Sequence, residues 1–173
     1  MALFDRRSLP ADARASLARW LAEEGLRGTP RVLAWAATPD GVLVALPDRL
    51  AIGDHDGWSS VPWHEVHGAT WSDDGASFTW RTVADPRRSR TLAVTAPGRL
   101  PEVVRERVEQ TFVVRRPVEL APGRGATVSG RRPADGAGEL TWHLTPARGV
   151  SLADPALAEA ARGVLERVRR EWG

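Results

Sequence analysis

The sequence predicts an α+β fold in which β structure dominates, and three observations support that prediction. Between residues 31 and 95, short runs of alternating apolar and polar residues recur at regular intervals. Turn sequences such as Pro39-Asp40-Gly41 and Asp73-Asp74-Gly75 separate these runs. Apolar residues at helical spacing flank this region on both sides. We therefore expect a seven-stranded antiparallel bent sandwich or barrel capped by a helix, with an extra N-terminal helix and a C-terminal hairpin plus helix.

A first helix is predicted over residues 8–25, followed by a linker up to residue 30. Its stripe at helical spacing consists of Ala13, Leu17, Trp20, Leu21 and Glu24. All but the last of these are apolar, which gives a narrow face that can pack against another element. Ser8 or Asp12 is expected to cap the start of the helix, and Gly25 is expected to end it.

The seven strands follow from two-residue alternation and from the turns between them. They are predicted over residues 31–38, 42–46, 50–53, 58–63, 67–72, 76–83 and 90–95. Residues 42–46 are nearly all apolar, which is typical of a strand covered on both faces. Pro62 cannot donate to a ladder, so we expect a strand to end near Trp63 and the chain to bend there.

The rest of the chain is predicted to contain two more helices and a hairpin. A helix over residues 99–112 has an apolar stripe that includes Leu100, Val103 and Val104. Residues 113–120 are expected to be extended, and residues 126–131 and 139–145 to form a hairpin. The last helix is predicted over Pro155–Trp172, with Asp154 as its N-cap.

Composition argues against several classes of function. The 24 cationic residues are all Arg, so almost nothing titrates between neutrality and the Arg range, and the sequence pI of 10.6 reflects a net charge of only +2. Residues 1–80 carry 7 Arg and 11 acidic residues, a net −4, whereas residues 81–173 carry 17 Arg and 11 acidic residues, a net +6. The halves thus form a mild dipole, but the chain as a whole is nearly neutral, so its pI is not a nucleic-acid signal and nucleic acid ranks last among the expected partners.

The chain has no Cys, which rules out disulfides, a thiol nucleophile and a thiolate metal site. No apolar run approaches the roughly 18 residues that a membrane span needs, and the start lacks the apolar segment of a signal peptide. We therefore expect a cytoplasmic protein. No serine elbow or close acid–base set appears, so we expect no enzyme activity and no cofactor. His64 and His67 are three apart in an extended segment, which predicts no metal site.

The candidate binding residues are arginines and one tryptophan. Arg81, Arg87, Arg88 and Arg90 surround one predicted loop between strands, and Arg115, Arg116, Arg131 and Arg132 follow later in the chain. Guanidinium groups pair with phosphate or carboxylate in bidentate fashion, so an anion or partner site is one hypothesis, and a solvated loop is the other. Core packing accounts for most of the eight Trp residues, but Trp58, Trp142 and Trp172 follow no strict pattern. Trp58 joins the candidate site for that reason.

Two sequence segments resemble bacterial proteins with a pleckstrin-homology-like domain. The segment Val61-Pro62-Trp63-His64-Glu65-Val66 resembles a short apolar-Pro-aromatic phrase of those proteins, and residues 97–108 resemble their helix. The resemblance implies that residues 31–116 form a bent sandwich plugged by the helix near Val104. Residues 1–30 would then be an N-terminal helix and linker, and residues 117–173 a hairpin and helix packed on the domain.

Lipid-binding relatives of that fold use a basic first hairpin, but the turn Thr38-Pro39-Asp40-Gly41 is short and carries one negative charge. Because the fold hosts many functions, function has to be inferred from a site. The leading hypothesis is a non-catalytic interaction or scaffold module that binds a protein partner or itself. Peripheral binding to anionic lipid through the Arg-rich loops is the first alternative. A small enzyme with an unrecognised pocket is the second.

Overall fold

The fold is of the mixed α+β class and mainly β, as the sequence predicts. The structure, a computed structural model, describes residues 8–26, 28–134 and 136–172. Strands account for 39% of the residues and helices for 28%, in three antiparallel sheets and three helices within those ranges. The chain separates into two compact units, residues 1–109 and 110–173. The boundary predicted at residue 116 falls within a strand of the second unit.

The elements follow one another in nearly the predicted order and places. They are α1 (Ala11–Glu23), β1 (Ala34–Thr38), β2 (Gly41–Ala45), β3 (Arg49–Asp54), β4 (Gly57–Pro62), β5 (Val66–Trp71), β6 (Ser77–Thr82), β7 (Arg90–Ala93), α2 (Leu100–Gln110), β8 (Phe112–Ala121), β9 (Arg124–Arg131), β10 (Thr141–Pro146) and α3 (Pro155–Trp172). A short 3₁₀ helix, Trp63–Glu65, separates β4 from β5. This confirms the predicted bend after Pro62.

The strands of the first unit form two antiparallel sheets. Sheet 1 has the order β1-β2-β3-β4, and sheet 2 has the order β5-β6-β7. An isolated antiparallel bridge joins Ala37 of β1 to Thr95, just after β7. Leu43, Val44 and Ala45 of β2 are fully buried, so the prediction of a strand covered on both faces is confirmed.

Helix α1 ends as predicted but begins differently. Gly25 has φ +81°, and the Leu26 N–H donates to the Leu21 carbonyl oxygen at 2.8 Å, which together make a Schellman ending. The prediction of a Ser8 or Asp12 cap was wrong. Pro10 occupies the N-cap position without a side-chain hydrogen bond.

Helix α1 packs on sheet 1 through its predicted stripe. Leu17 and Leu21 form a buried cluster with Val44, Leu46 and Ala51. Trp20, Trp35 and Trp58 border that cluster. At roughly 25 cal/mol for each Å² of apolar surface, such burial is the main force holding the helix in place.

The turn between β5 and β6 is fixed by its acidic residue. The Ser72 hydroxyl donates to Asp74 Oδ1 at 2.6 Å, and the Ala76 N–H donates to the same oxygen at 2.9 Å. The Ser72 hydrogen bond and then that of Ala76 lower the pKa of Asp74 below 3.8. A carboxylate with a lowered folded-state pKa stabilises the turn above pH 3.8. That contribution is lost as pH falls through the folded-state pKa.

The second unit is a three-stranded antiparallel sheet with one helix on it. Sheet 3 has the order β10-β9-β8, and its core consists of Val128, Val164 and Val168 with several half-buried neighbours. The predicted hairpin is confirmed, because β9 pairs with β10 from Arg131–Thr141 to Ala126–Pro146. Asp154 caps α3, since its Oδ1 accepts the Ala156 N–H at 2.9 Å.

Candidate interaction surfaces

Trp58, a predicted site residue, holds α1 against sheet 1. Its indole N–H donates to Ser16 Oγ at 2.9 Å, and its ring stacks on Trp20 with centroids 6.0 Å apart. The same ring lies directly over Gly53, its register partner in β3. Trp58 is half-buried and forms one wall of a groove of about 460 Å³ that Asp12 and Asp54 also line. Its first role is therefore packing.

The four predicted arginines around the β6–β7 loop are exposed, but they do not converge on one point. Arg81 lies opposite Gly68, on the face of sheet 2 turned away from buried Trp80. Arg90 is the register partner of Trp80, so its side chain lies on the same face as Trp80 and on the opposite face from Arg81. Arg87 and Arg88 lie in the loop, where Asp85 Oδ1 accepts the Arg88 N–H at 3.2 Å.

Arg131, predicted as a binding residue, is buried at 2% exposure in the second unit. Its Nε and Nη2 donate to Thr111 Oγ1 at 3.0 and 2.7 Å. Its guanidinium carbon lies 4.4 Å from the centre of the Phe112 ring, and that of Arg115 lies 3.8 Å from the same ring. This geometry is that of a structural arginine.

Two other arginines of the second unit, Arg132 and Arg116, differ in burial and in their hydrogen-bond partners. Arg132 is half-buried, and within the described ranges its buried Nε has no hydrogen-bond partner. Arg116 is exposed and donates to Glu171 Oε2 at 2.5 Å, which ties β8 to the end of α3. The arginines from Arg81 to Arg90 belong to the first compact unit, and Arg131 and Arg132 belong to the second.

A surface that the sequence analysis did not single out lies on the second unit, between α3 and β10. It is an open apolar groove of about 480 Å³. Its lining consists of Leu144, Leu152, Ala158, Ala161, Arg162 and Leu165. Leu152 is 37% exposed, although large apolar side chains are normally covered. We call this surface the α3–β10 groove.

Helix α3 forms one wall of the groove because its apolar stripe is wider than its core contact. Leu157, Val164 and Val168 are buried, and the two valines form a core cluster with Val128 of β9. Ala158 and Leu165 are seven residues apart, so they share a neighbouring face that is only half-buried. Among the described residues, Arg162 is the one charged residue that lines the groove, and it is ion-paired with Glu159.

Beside the groove, β10 is an edge strand of sheet 3. Only alternate residues of an antiparallel strand turn their N–H and C=O groups toward one neighbour. The Ala147 N–H donates to the Gly125 carbonyl oxygen at 3.0 Å, so odd-numbered residues of β10 bond to β9. Trp142 and Leu144 therefore direct their backbone N–H and C=O groups away from the sheet. The backbone of Pro146 faces the same way as those of Trp142 and Leu144, but proline has no N–H.

The opposite edge of sheet 3 is protected, and the β10 edge is not. By the same alternation, Pro117 of β8 points outward, where it offers no donor, and charged Arg115 and Glu119 accompany it. Proline and charge on an edge strand are common devices against strand addition. From Thr141 to Thr145, β10 has no proline and no Asp, Glu, Lys or Arg. The β10 edge is thus open to pairing.

The groove could in principle have been predicted from two patterns that the sequence contains. Trp142 and Leu144 alternate with polar residues in a hairpin strand, and α3 has more apolar residues than one face needs. Nothing in the sequence said that β10 would be an edge. That depends on the order of the strands in sheet 3.

Neither a metal-binding group of side chains nor a helix that could cross a membrane is found in the part of the chain that the structure describes. No group of three or more His, Asp or Glu residues there is placed to hold a metal ion. None of the described helices combines the length and the apolar composition needed to cross a membrane.

No protein-family model, no curated protein and no solved structure matches the chain. Seven antiparallel strands followed by a helix is the order that the pleckstrin-homology-like resemblance implies. The resemblance itself stays a prediction.

Proposed function

We propose that this protein is a non-catalytic interaction module that takes up an extended protein segment at the β10 edge. The observation that carries the proposal is that the backbone N–H and C=O groups of Trp142 and Leu144 point away from sheet 3, beside the α3–β10 groove. In β-strand addition, backbone hydrogen bonds supply affinity and alternate side chains of the added strand enter pockets. The groove lies on the side of β10 that would receive those side chains.

The character of the groove favours binding over catalysis. Leucine and alanine make up five of its six lining residues, and Arg162 is engaged by Glu159. General acid–base or nucleophilic chemistry needs a reactive side chain with a partner within hydrogen-bond reach. An apolar groove with one paired arginine instead favours a ligand that brings leucine-like or aromatic side chains.

Selection from a random library of extended peptides tests this function, because it requires no identified partner. The library would be displayed on phage and selected on the immobilised chain. We expect enriched peptides to bind the native chain and to lose at least about tenfold in affinity for Leu144→Pro, which removes an outward donor. Leu165→Arg should do the same by putting a charge into the groove. Leu144→Ala separates the loss of the side chain from the loss of the N–H.

Two features keep this experiment interpretable. An outward position of an edge strand tolerates proline, and Pro146 already occupies the same phase of β10, so Leu144→Pro should fold. Val113→Arg is the matched control, because Val113 is 44% exposed on β8, away from the groove. Enrichment of no peptide, or equal binding to all four variants, would reject the proposed site.

A second candidate function, peripheral binding to anionic lipid, is favoured by one observation. Arg87, Arg88 and Arg90 are all exposed, and none has an acidic partner within 4.0 Å among the described residues. Each basic residue near an anionic surface is worth about 1 kcal/mol, so three together give about a hundredfold in partitioning.

Co-sedimentation with vesicles tests this second candidate. Vesicles of phosphatidylcholine with phosphatidylserine should retain the native chain at low salt, and the triple variant Arg87→Gln, Arg88→Gln, Arg90→Gln should lose that retention. Arg14→Gln with Arg19→Gln is the control, since both residues are exposed on α1, away from the loop. Retention that depends on neither acidic lipid nor salt would reject electrostatic attachment.

A further inference from the structure

The pattern of groups along β10 and α3 fits a second copy of the same chain. Resting on the proposed function, we infer that two copies pair antiparallel through their β10 strands. The two copies of sheet 3 would then form one six-stranded sheet. A two-fold axis perpendicular to the sheet relates them, so the two α3 helices lie antiparallel on one face.

The backbone of β10 selects one register for this pairing. The outward groups belong to Trp142 and Leu144, and they are symmetric about His143. With His143 opposite its own copy, Trp142 of each chain pairs with Leu144 of the other, and four backbone hydrogen bonds form. A register centred on Leu144 would also allow four bonds, but it sets Trp142 against Pro146, which lacks an N–H, so its outer pairs are incomplete. The register centred on His143 is therefore the one in which Trp142 and Leu144 both form complete pairs within β10.

The charges of α3 favour the same arrangement. Residues 154–166 contain Asp154, Glu159, Glu166 and Arg162, a net −2. Residues 167–172 contain Arg167, Arg169, Arg170 and Glu171, a net +2. An antiparallel copy places the basic end of one helix beside the acidic end of the other. The two helix dipoles also oppose each other in that arrangement.

Exposed apolar residues lie at both ends of the surface that would be covered. Leu152 is 37% exposed before α3 begins, and Trp172 is 52% exposed at its last turn. Trp172 follows Leu165 by seven residues, so it continues the face that lines the groove. One 18-residue helix separates the two by about 27 Å. Two antiparallel copies bring the Trp172 end of one chain toward the Leu152 end of the other.

Disulfide mapping tests the register directly, because the chain has no cysteine of its own. Residues opposite each other at a position without ladder hydrogen bonds have Cα atoms about 4.5 Å apart, within disulfide range. Under mild oxidation, His143→Cys should therefore cross-link to its own copy. Thr141→Cys and Thr145→Cys should each form no disulfide alone and should cross-link when mixed, because those two positions face each other across the axis.

Sedimentation velocity over about 1 μM to about 1 mM measures the association itself. We expect a concentration-dependent dimer that Leu144→Pro and Leu165→Arg each weaken at least about tenfold and that Val113→Arg leaves unchanged. The amides of Trp142 and Leu144 should gain protection from hydrogen exchange as concentration rises. A dimer indifferent to both groove variants, or cross-linking of Thr141→Cys with itself, would overturn the inference.

The two proposals can fail separately. In one outcome, the chain stays monomeric at high concentration and forms no cross-link at residue 143, while selected peptides still bind the groove. That outcome rejects the dimer and supports the interaction module. Failure of both the peptides and the dimer removes the groove as a binding site.

Discussion

Replacement of Trp63 by alanine should lower the free energy of unfolding of the first unit by about 3–5 kcal/mol. Trp63 is 0% exposed, the bulkiest of the fully buried side chains of the described chain. Its indole N–H donates to the Leu46 carbonyl oxygen at 2.9 Å, which ties the bend after β4 to the end of β2. The substitution would leave a cavity and a buried carbonyl without that donor, and both effects destabilise.

Urea unfolding followed by circular dichroism measures this loss, and hydrogen exchange assigns it to the first unit. The free energy of unfolding of Trp63→Phe should lie between those of the native chain and of Trp63→Ala, because phenylalanine keeps most of the ring volume but loses the hydrogen bond. Leu26→Ala is the exposed control, since Leu26 is 41% exposed, and it should change stability by less than about 0.5 kcal/mol. A Trp63→Ala chain as stable as the control would mean that the bend is not held by this side chain.

Replacement of Gly41 by alanine should cost roughly 3 kcal/mol, the upper range for overpacking. A Cβ atom on Gly41 would lie 2.1 Å from the Gly53 carbonyl oxygen and 2.9 Å from its carbonyl carbon. Both contacts are to backbone, so no side chain can swing away to relieve them. The start of β2 or the end of β3 would have to move, although the ladder from Val42–Gly53 to Ala45–Leu50 holds them.

The matched control is the same substitution at Gly163. Gly163 lies within α3, and a Cβ there would meet nothing within 4 Å. Alanine restricts the unfolded chain in both variants, so the difference between them reports the native contact. Gly163→Ala should raise stability by about 0.5–1 kcal/mol, because glycine is a poor helix residue. If Gly41→Ala left the thermal unfolding midpoint unchanged or raised it, as Gly163→Ala is expected to, the close approach of β2 and β3 would be refuted.

The candidate site residues were predicted from their side-chain chemistry alone. In the structure they differ in burial, which decides whether each can bind a ligand. Arg131 and Arg87 look alike in a sequence, since each is the first of an Arg-Arg pair that adjoins a proline. Arg131 is buried and bonded to Thr111, whereas Arg87 is exposed. The difference depends on the register of β8 and β9, which places Arg131 opposite Phe112. Register is a long-range property that spacing alone does not reveal.

By itself, the sequence determined the elements of this protein: the mainly β class, the bend after Pro62, the end of α1 at Gly25 and the full extent of α3. These depend on periodicity, on proline and on glycine, which act within a few residues of each other. Only the tertiary structure decided that β10 is an edge strand of sheet 3, that Pro117 lies on the other edge strand and that α3 leaves a groove uncovered. Strand order and helix placement depend on contacts between residues far apart in the chain, and those contacts define the surface where binding is proposed.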